Sequence, residues 1–138
     1  MGSWGIKSYE NDDAHEALDR GFERVHGDAY DDLMDDRNPM SLEDVQKQLA
    51  DERTLAASLD LFEYEAGSDR DRWDDLDRLG YAGIVVRHAE LGVPVPADAL
   101  ASAIAFLEAE SLEWEGEETK RKLRRDKELE TLRRAAGG

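Results

Sequence analysis

Four side chains near the amino-terminal end of the chain have the types and spacing of metal ligands. They recur every three or four residues and comprise His15, Asp19, Glu23 and His26. Residues at this spacing share one face of an α-helix, where imidazole and carboxylate groups could hold a divalent cation together with a second helix. Helical di-metal proteins carry a Glu-x-x-His pattern on two helices, whereas this chain carries it once, at residues 23–26. The alternative interpretation is a stripe of polar residues that faces water.

A second group of acids has the spacing of a magnesium site. Asp31, Asp32 and Asp35 match the DDxxD pattern with which helical prenyl-transferring enzymes hold magnesium against a diphosphate. That chemistry also needs a deep apolar tunnel and a second acidic motif, for which residues 73–78 are the candidate. A chain of 138 residues has little room for both, and acidic runs arise easily among 34 Asp and Glu residues. We therefore expect a solvated acidic face, with a metal-dependent enzyme or metal-binding helical domain as the alternative.

The chain lacks the signatures of common covalent and nucleotide-dependent enzymes. It has no cysteine, which excludes disulfides, thiolate nucleophiles and cysteine-based zinc sites. It also has no Gly-x-Ser-x-Gly elbow, no phosphate-binding P-loop and no Gly-x-Gly-x-x-Gly fingerprint. These absences disfavour enzymatic activity. We expect no catalytic residues and no cofactor, a divalent metal being the one alternative.

Apolar residues recur with helical spacing along most of the chain and predict the elements that would position these side chains. Asn11 or Asp12 can cap a first helix that ends at Gly27. The inner face of that helix comprises Ala14, Ala17, Leu18, Gly21, Phe22 and Val25.

Further helices follow with short connections. Ser41 predicts the start of a helix that continues to Gly67 with a kink near Asp51, and Ser68 predicts the cap of the next. That next segment starts near Trp73 and is interrupted or bent at Gly80. The last core helix carries its apolar face from Leu100 to Trp114. No stretch alternates as a β-strand does, so we predict an all-α, compact bundle of about five to seven short helices with a charged C-terminal helical extension.

Charge divides the chain into an acidic body and a basic end. The net charge is −16; residues 1–119 carry 10 basic and 31 acidic residues, a net −21, whereas residues 120–138 carry 8 and 3, a net +5. We predict an acidic helical domain over residues 1–116 and a charged, net basic helix or tail over residues 117–138. The interpretation we favour for that tail is a solvated helix that projects from the domain. Its alternatives are folding back onto the acidic body or pairing with a partner, including self-association.

The opening of the chain carries a motif of small and aromatic residues that leads into the first helix. Its members are Gly2, Trp4, Gly5, Tyr9, Asn11, Asp12 and Ala14. The motif resembles the opening of a family of small bacterial proteins of unknown function, which begin Gly-Thr-Trp-Gly and, after a short variable stretch, reach Phe or Tyr, Asp or Glu, Asn, Asp and Ala. The resemblance implies a compact helical domain in a bacterial cytoplasm and carries no activity with it. We expect the motif to be structural, with Trp4 and Tyr9 packed into the core ahead of the first helix.

The acidic composition predicts the kind of partner. A strongly negative surface repels nucleic-acid phosphates and anionic lipids and attracts basic protein surfaces. The longest apolar runs are much shorter than the ~20 residues that a membrane-spanning helix needs. We therefore expect a cytoplasmic, non-catalytic interaction module that binds a basic protein partner as an inhibitor, an immunity-like protein or an accessory subunit. We expect no direct nucleic-acid binding by the acidic body and no membrane association.

Overall fold

The computed structural model of the protein describes residues 5, 7–35, 37, 40–111, 114 and 116–137. These residues form seven α-helices and no β-strand, which confirms the predicted compact all-α bundle. A 3-10 turn, Arg70–Arg72, lies between the fourth and fifth helices. No helix in this part of the chain is both long and apolar enough to cross a bilayer. The helices are α1 (Asp12–His26), α2 (Asp28–Leu33), α3 (Leu42–Leu49), α4 (Glu52–Ala66), α5 (Asp75–Glu90), α6 (Ala97–Glu108) and α7 (Glu118–Gly137).

Helix α1 begins where the sequence predicts, and its cap is Asn11 rather than Asp12. The Asn11 Oδ1 accepts a hydrogen bond from the Ala14 backbone N–H at 2.9 Å, and the Asn11 Nδ2 donates to the Ser8 carbonyl at 2.7 Å. Gly27 follows the helix with a φ of 52°, a left-handed value that favours glycine. The predicted inner face is confirmed for the buried residues Ala14, Ala17, Leu18, Gly21 and Phe22.

Helices α3 and α4 correct the prediction of one long helix with a kink. Helix α3 starts after Ser41, whose side chain accepts from the Asp44 N–H, and it ends at Leu49. Asp51 then caps a separate helix, because its side chain accepts from the Thr54 N–H while the Thr54 hydroxyl accepts from the Asp51 N–H. The prediction that Ser68 caps the following segment is wrong. Asp69 caps the 3-10 turn and Asp74 caps α5.

Helix α5 is the centre of the bundle and packs against α1, α4, α6 and α7. All of residues 79–88 are buried. The predicted interruption at Gly80 is absent, since the helix runs unbroken from Asp75 to Glu90, and Trp73 lies ahead of it. Close packing explains the two glycines inside the helix. A Cβ on Gly80 would lie 2.7 Å from the Phe62 ring, and one on Gly83 would lie 2.3 Å from the Ser8 carbonyl oxygen.

Helix α7 packs onto α5 and α6 instead of projecting into solvent. Its inner face buries Leu129 and Leu132, together with two charged side chains described below. The structure therefore shows the arrangement in which the basic helix folds back on the acidic body. Trp114, predicted to lie on the last core helix, comes after the end of α6 at Glu108.

Candidate functional site

The four metal-ligand candidates on α1 interact with different partners. His15 and Glu23 are exposed. The Tyr30 hydroxyl donates a short hydrogen bond to Asp19. His26 Nε2 lies 2.7 Å from the Leu49 carbonyl oxygen and 3.6 Å from an Asp51 carboxylate oxygen. Of the four, Asp19 and His26 therefore contact the neighbouring helices α2 and α3.

The DDxxD acids are also dispersed. Asp31 and Asp32 are exposed on α2, and hydrogen bonding to Asp31 raises the pKa of Glu23. Asp35 lies beyond the helix and accepts two side-chain hydrogen bonds from Arg37, both 2.9 Å long, which lowers the pKa of Asp35. Within the described residues, no three His, Asp or Glu side chains are placed to hold a metal ion.

A different set of acids does converge, at a depression between α1, α4 and α5 that we name the acidic cleft. Its volume is about 190 Å³. Its floor is apolar and includes the buried Phe62 with Ala17, Leu61 and Ala66. Its charged rim consists of Asp13, Glu16, Arg20, Glu65 and Asp77. Four of these five rim residues are acidic, so the cleft combines a negative rim with a hydrophobic base.

Three of the charged residues at the rim of the acidic cleft lie at the ends of helices. Asp13 lies in the first turn of α1 and Asp77 in the first turn of α5, where the helix dipole favours negative charge. Glu65 lies in the last turn of α4. Because two helix N-termini and one C-terminus meet here, carboxylates that are far apart in sequence share one opening.

The carboxylates of the acidic cleft repel one another. Partial burial, followed by the charges of Asp12, Asp74, Glu16 and Glu65, raises the pKa of Asp13. Partial burial also raises the pKa of Asp77, with contributions from neighbouring acids that include Asp13. Burial is the largest cause of both shifts, and the charges of the neighbouring carboxylates add to it.

Arg20 supplies positive charge at the rim. Its Nη2 lies 2.7 Å from a Glu16 carboxylate oxygen on the same helix, and its Nη1 lies 3.8 Å from Glu65 on α4. All three side chains are more than half exposed. Exposed pairs of this kind contribute little to stability, so a competing cation could displace Arg20 at low cost.

A second charged cluster is buried beneath α7. The Arg121 guanidinium donates to the Glu128 carboxylate at 2.9 Å and to Glu110 through its Nε at 3.0 Å. Glu128 also accepts from the Ser8 backbone N–H at 2.9 Å and from the Ser8 hydroxyl at 2.8 Å. The Arg121 and Glu128 side chains are 1% and 0% exposed. This cluster joins the first residues of the fold to its last helix.

The structure describes five residues of the opening motif and places them just ahead of α1 and in its first turn. Asn11 caps α1, Ala14 is fully buried, and Tyr9 packs against the core while its hydroxyl donates to Glu90 at 2.9 Å. Asp12 is the exposed first residue of α1. A Cβ on Gly5 would lie 2.5 Å from a Glu10 carboxylate oxygen. Gly2 and Trp4 lie outside the described residues.

Sequence reasoning missed both charged clusters. The acidic cleft draws on residues 13–77, and the buried cluster joins Ser8 to Glu128. Their members are ordinary surface residue types with no local motif. One signal for the acidic cleft was present, namely the excess of acids in the first turns of helices. Helix capping was a sufficient explanation for those acids.

Comparisons of the chain with protein-family models, with curated proteins and with solved structures found no match. The resemblance of the opening motif to a bacterial family therefore stays a hypothesis.

Proposed function

We propose that the protein is a non-catalytic interaction module of the bacterial cytoplasm and that its acidic cleft binds a basic partner protein. In this role it would act as an inhibitor, an immunity-like protein or an accessory subunit. The observation that carries the proposal is the convergence of Asp13, Glu16, Glu65 and Asp77 around one depression, with raised pKa values for Asp13 and Asp77. A bound cation would relieve the repulsion between these carboxylates.

The shape of the acidic cleft suits a lysine or arginine side chain. Such side chains have an apolar stem and a cationic head, which match the Phe62 floor and the carboxylate rim. The net charge of −16 would also accelerate the encounter with a basic surface, and that acceleration falls as salt increases. The overall charge thus attracts the partner and the cleft positions one of its basic residues.

Binding of a lysine-rich peptide with uncharged ends tests the proposal. The wild-type protein should bind the peptide at low salt, and the affinity should fall steeply as NaCl increases. The double variant D13N/E65Q should weaken binding at low salt by about tenfold or more, since each close charge pair is worth ~1 kcal/mol even in water. Isothermal titration calorimetry measures both effects.

A matched variant separates the acidic cleft from the overall charge. D32N/D44N makes the same change in net charge at two exposed acids on α2 and α3, and it should change the affinity by no more than about twofold. Equal losses in the two double variants would show attraction by overall charge only and would overturn the cleft as the site. Absence of binding by the wild-type protein at low salt would overturn the proposal itself.

A further inference from the structure

A second depression lies on the opposite side of α1, between residues 7–10, α3 and α5. Its volume is about 150 Å³. In contrast to the acidic cleft, its lining includes the cationic side chains of Lys7 and Arg87, the imidazole of His15 and the amide of Gln46. We name it the Arg87 pocket. The lining also contains the carboxylates of Glu10 and Glu43, so its formal charges balance.

Arg87 is buried without a carboxylate of its own. The residue is 6% exposed. Its Nε donates to the Gln46 Oε1 at 2.7 Å, and its Nη2 donates to the Glu43 backbone carbonyl at a long 3.4 Å. Both acceptors are neutral. In the part of the chain that the structure describes, Glu90 is the one carboxylate within 4.0 Å of the guanidinium. Its Oε1 lies 4.0 Å from the Arg87 Nη1.

Glu90 is itself shared with other donors. The Tyr9 hydroxyl donates to its Oε1 at 2.9 Å, and Arg124 makes a shorter ion pair with its Oε2. Arg124 is therefore the principal partner of Glu90, and Arg87 receives only part of one negative charge. The guanidinium is compensated by this shared carboxylate and by the face of the Tyr9 ring, whose centre is 5.4 Å away. Its desolvation is still costly, and an anion in the pocket would lower that cost.

Two other carboxylates of the pocket, those of Glu10 and Glu43, do not balance the positive charge of Arg87. Glu10 accepts a hydrogen bond from the Lys7 backbone N–H at 3.0 Å and so closes the turn ahead of α1. Glu43 is exposed on α3 and contacts Arg87 through its backbone carbonyl. The hydrogen bonds to Gln46 and Glu43 use the Nε and Nη2 of Arg87, and its Nη1 lies 4.0 Å from the Glu90 Oε1.

We propose that the Arg87 pocket binds a small oxyanion, a carboxylate or phosphate group, with Arg87 as its principal ligand. The planar guanidinium presents paired N–H donors that match either group. The Gln46 side chain has its oxygen occupied by Arg87, and its NH₂ is a further donor. Lys7 and His15 also line the pocket. This proposal is independent of the acidic cleft and its basic partner.

Titration with inorganic phosphate and with succinate at constant ionic strength tests the proposal, with NaCl as the reference salt. Binding should raise the melting temperature as expected from mass action and should shift the NMR signals of the Arg87 and Gln46 side chains. A response to phosphate alone identifies a phosphate ligand, a response to succinate alone identifies a carboxylate, and a response to both supports a general oxyanion site. Absence of a response to either overturns the proposal.

Variants then locate the site. His15 is exposed, so H15E should fold while it places a carboxylate at the pocket and weakens anion binding by about fivefold or more. S68E adds the same charge at an exposed position in another part of the fold and should leave the affinity within about twofold. R87Q should abolish binding if it folds. Equal weakening by H15E and S68E would overturn the assignment to this pocket.

Discussion

At the scale of single residues, the buried imidazole of His88 is the clearest titratable group. Its Nδ1 lies 2.9 Å from the Ile84 carbonyl and its Nε2 lies 2.9 Å from the Thr54 hydroxyl. A carbonyl can only accept, so Nδ1 carries the proton of the neutral ring and Nε2 accepts from Thr54. Burial lowers the pKa of His88 to about 4. The folded protein therefore keeps this ring neutral at physiological pH.

This pKa predicts a loss of stability at mildly acidic pH. The unfolded state takes up a proton near pH 6.5, whereas the folded state takes it up only near pH 4. Between these values the unfolded state binds more protons, so the contribution of His88 to the free energy of unfolding should fall by about 3 kcal/mol as the pH decreases from 6.5 to 4. Urea unfolding across this range measures the slope, and H88Q should remove this component of it.

An NMR titration of the His88 ring in the wild-type protein gives an independent check. A midpoint near the ordinary histidine value would contradict the prediction, as would an unchanged slope in H88Q.

Single residues also show where sequence reasoning succeeds and where it stops. The cap preceding Ala14 and the inner face of α1 were predictable because capping and helical periodicity act over a few residues. The choice between Asn11 and Asp12 was open because both residue types cap helices; in the structure Asn11 also donates from its Nδ2 to the Ser8 carbonyl, which a carboxylate cannot do. The close packing at Gly83 was likewise unpredictable, because the Ser8 backbone that it contacts is distant in the sequence.

At the scale of elements, the docking of α7 depends on buried charge as much as on apolar packing. Its inner face carries Leu129 and Leu132 together with Arg121 and Glu128. Composition predicted a solvated helix, because periodicity counts charged residues as surface residues. That assumption fails here because Arg121 finds two carboxylates, Glu110 and Glu128, within hydrogen-bonding distance. Glu110 follows the end of α6, whereas Glu128 lies on α7 itself, seven residues after Arg121, so the cluster forms only where α7 docks beside the end of α6.

Removal of Arg121 should destabilise the fold strongly. R121M removes the guanidinium that the buried carboxylates of Glu110 and Glu128 share. Arg124 lies 3.3 Å from Glu128 and Arg125 lies 3.7 Å from Glu110, so the expected cost is about 3 kcal/mol, the low end for breaking a buried ion pair. The control is R134M, which removes the exposed pair between Arg134 and Glu130 on the same helix and should cost less than about 1 kcal/mol. Urea unfolding measures both. Similar costs for the two variants would show that the Arg121 cluster is no more important than a surface pair.

At the scale of the whole molecule, charge opposes the compact state while α7 relieves part of the repulsion. The body carries a net −21 over residues 1–119 and the basic end carries +5. Because α7 packs on the body, Arg124 and Arg133 pair with Glu90 and Glu108 of other helices. The overall charge could be predicted from the composition. Its partial neutralisation by α7 could not, because it depends on how that helix packs on the body.

The remaining excess of negative charge makes stability depend on salt and on the sign of surface substitutions. K127E makes the net charge two units more negative and D60K makes it two units more positive, both at exposed positions within helices. Near 10 mM salt, where charges interact over ~30 Å, K127E should melt below the wild-type protein and D60K above it. Each added pair of unit charges 10 Å apart contributes ~0.4 kcal/mol in water. Near 300 mM NaCl the three melting temperatures should converge, and a gap that persists at that salt would assign the effects to local contacts instead of overall repulsion.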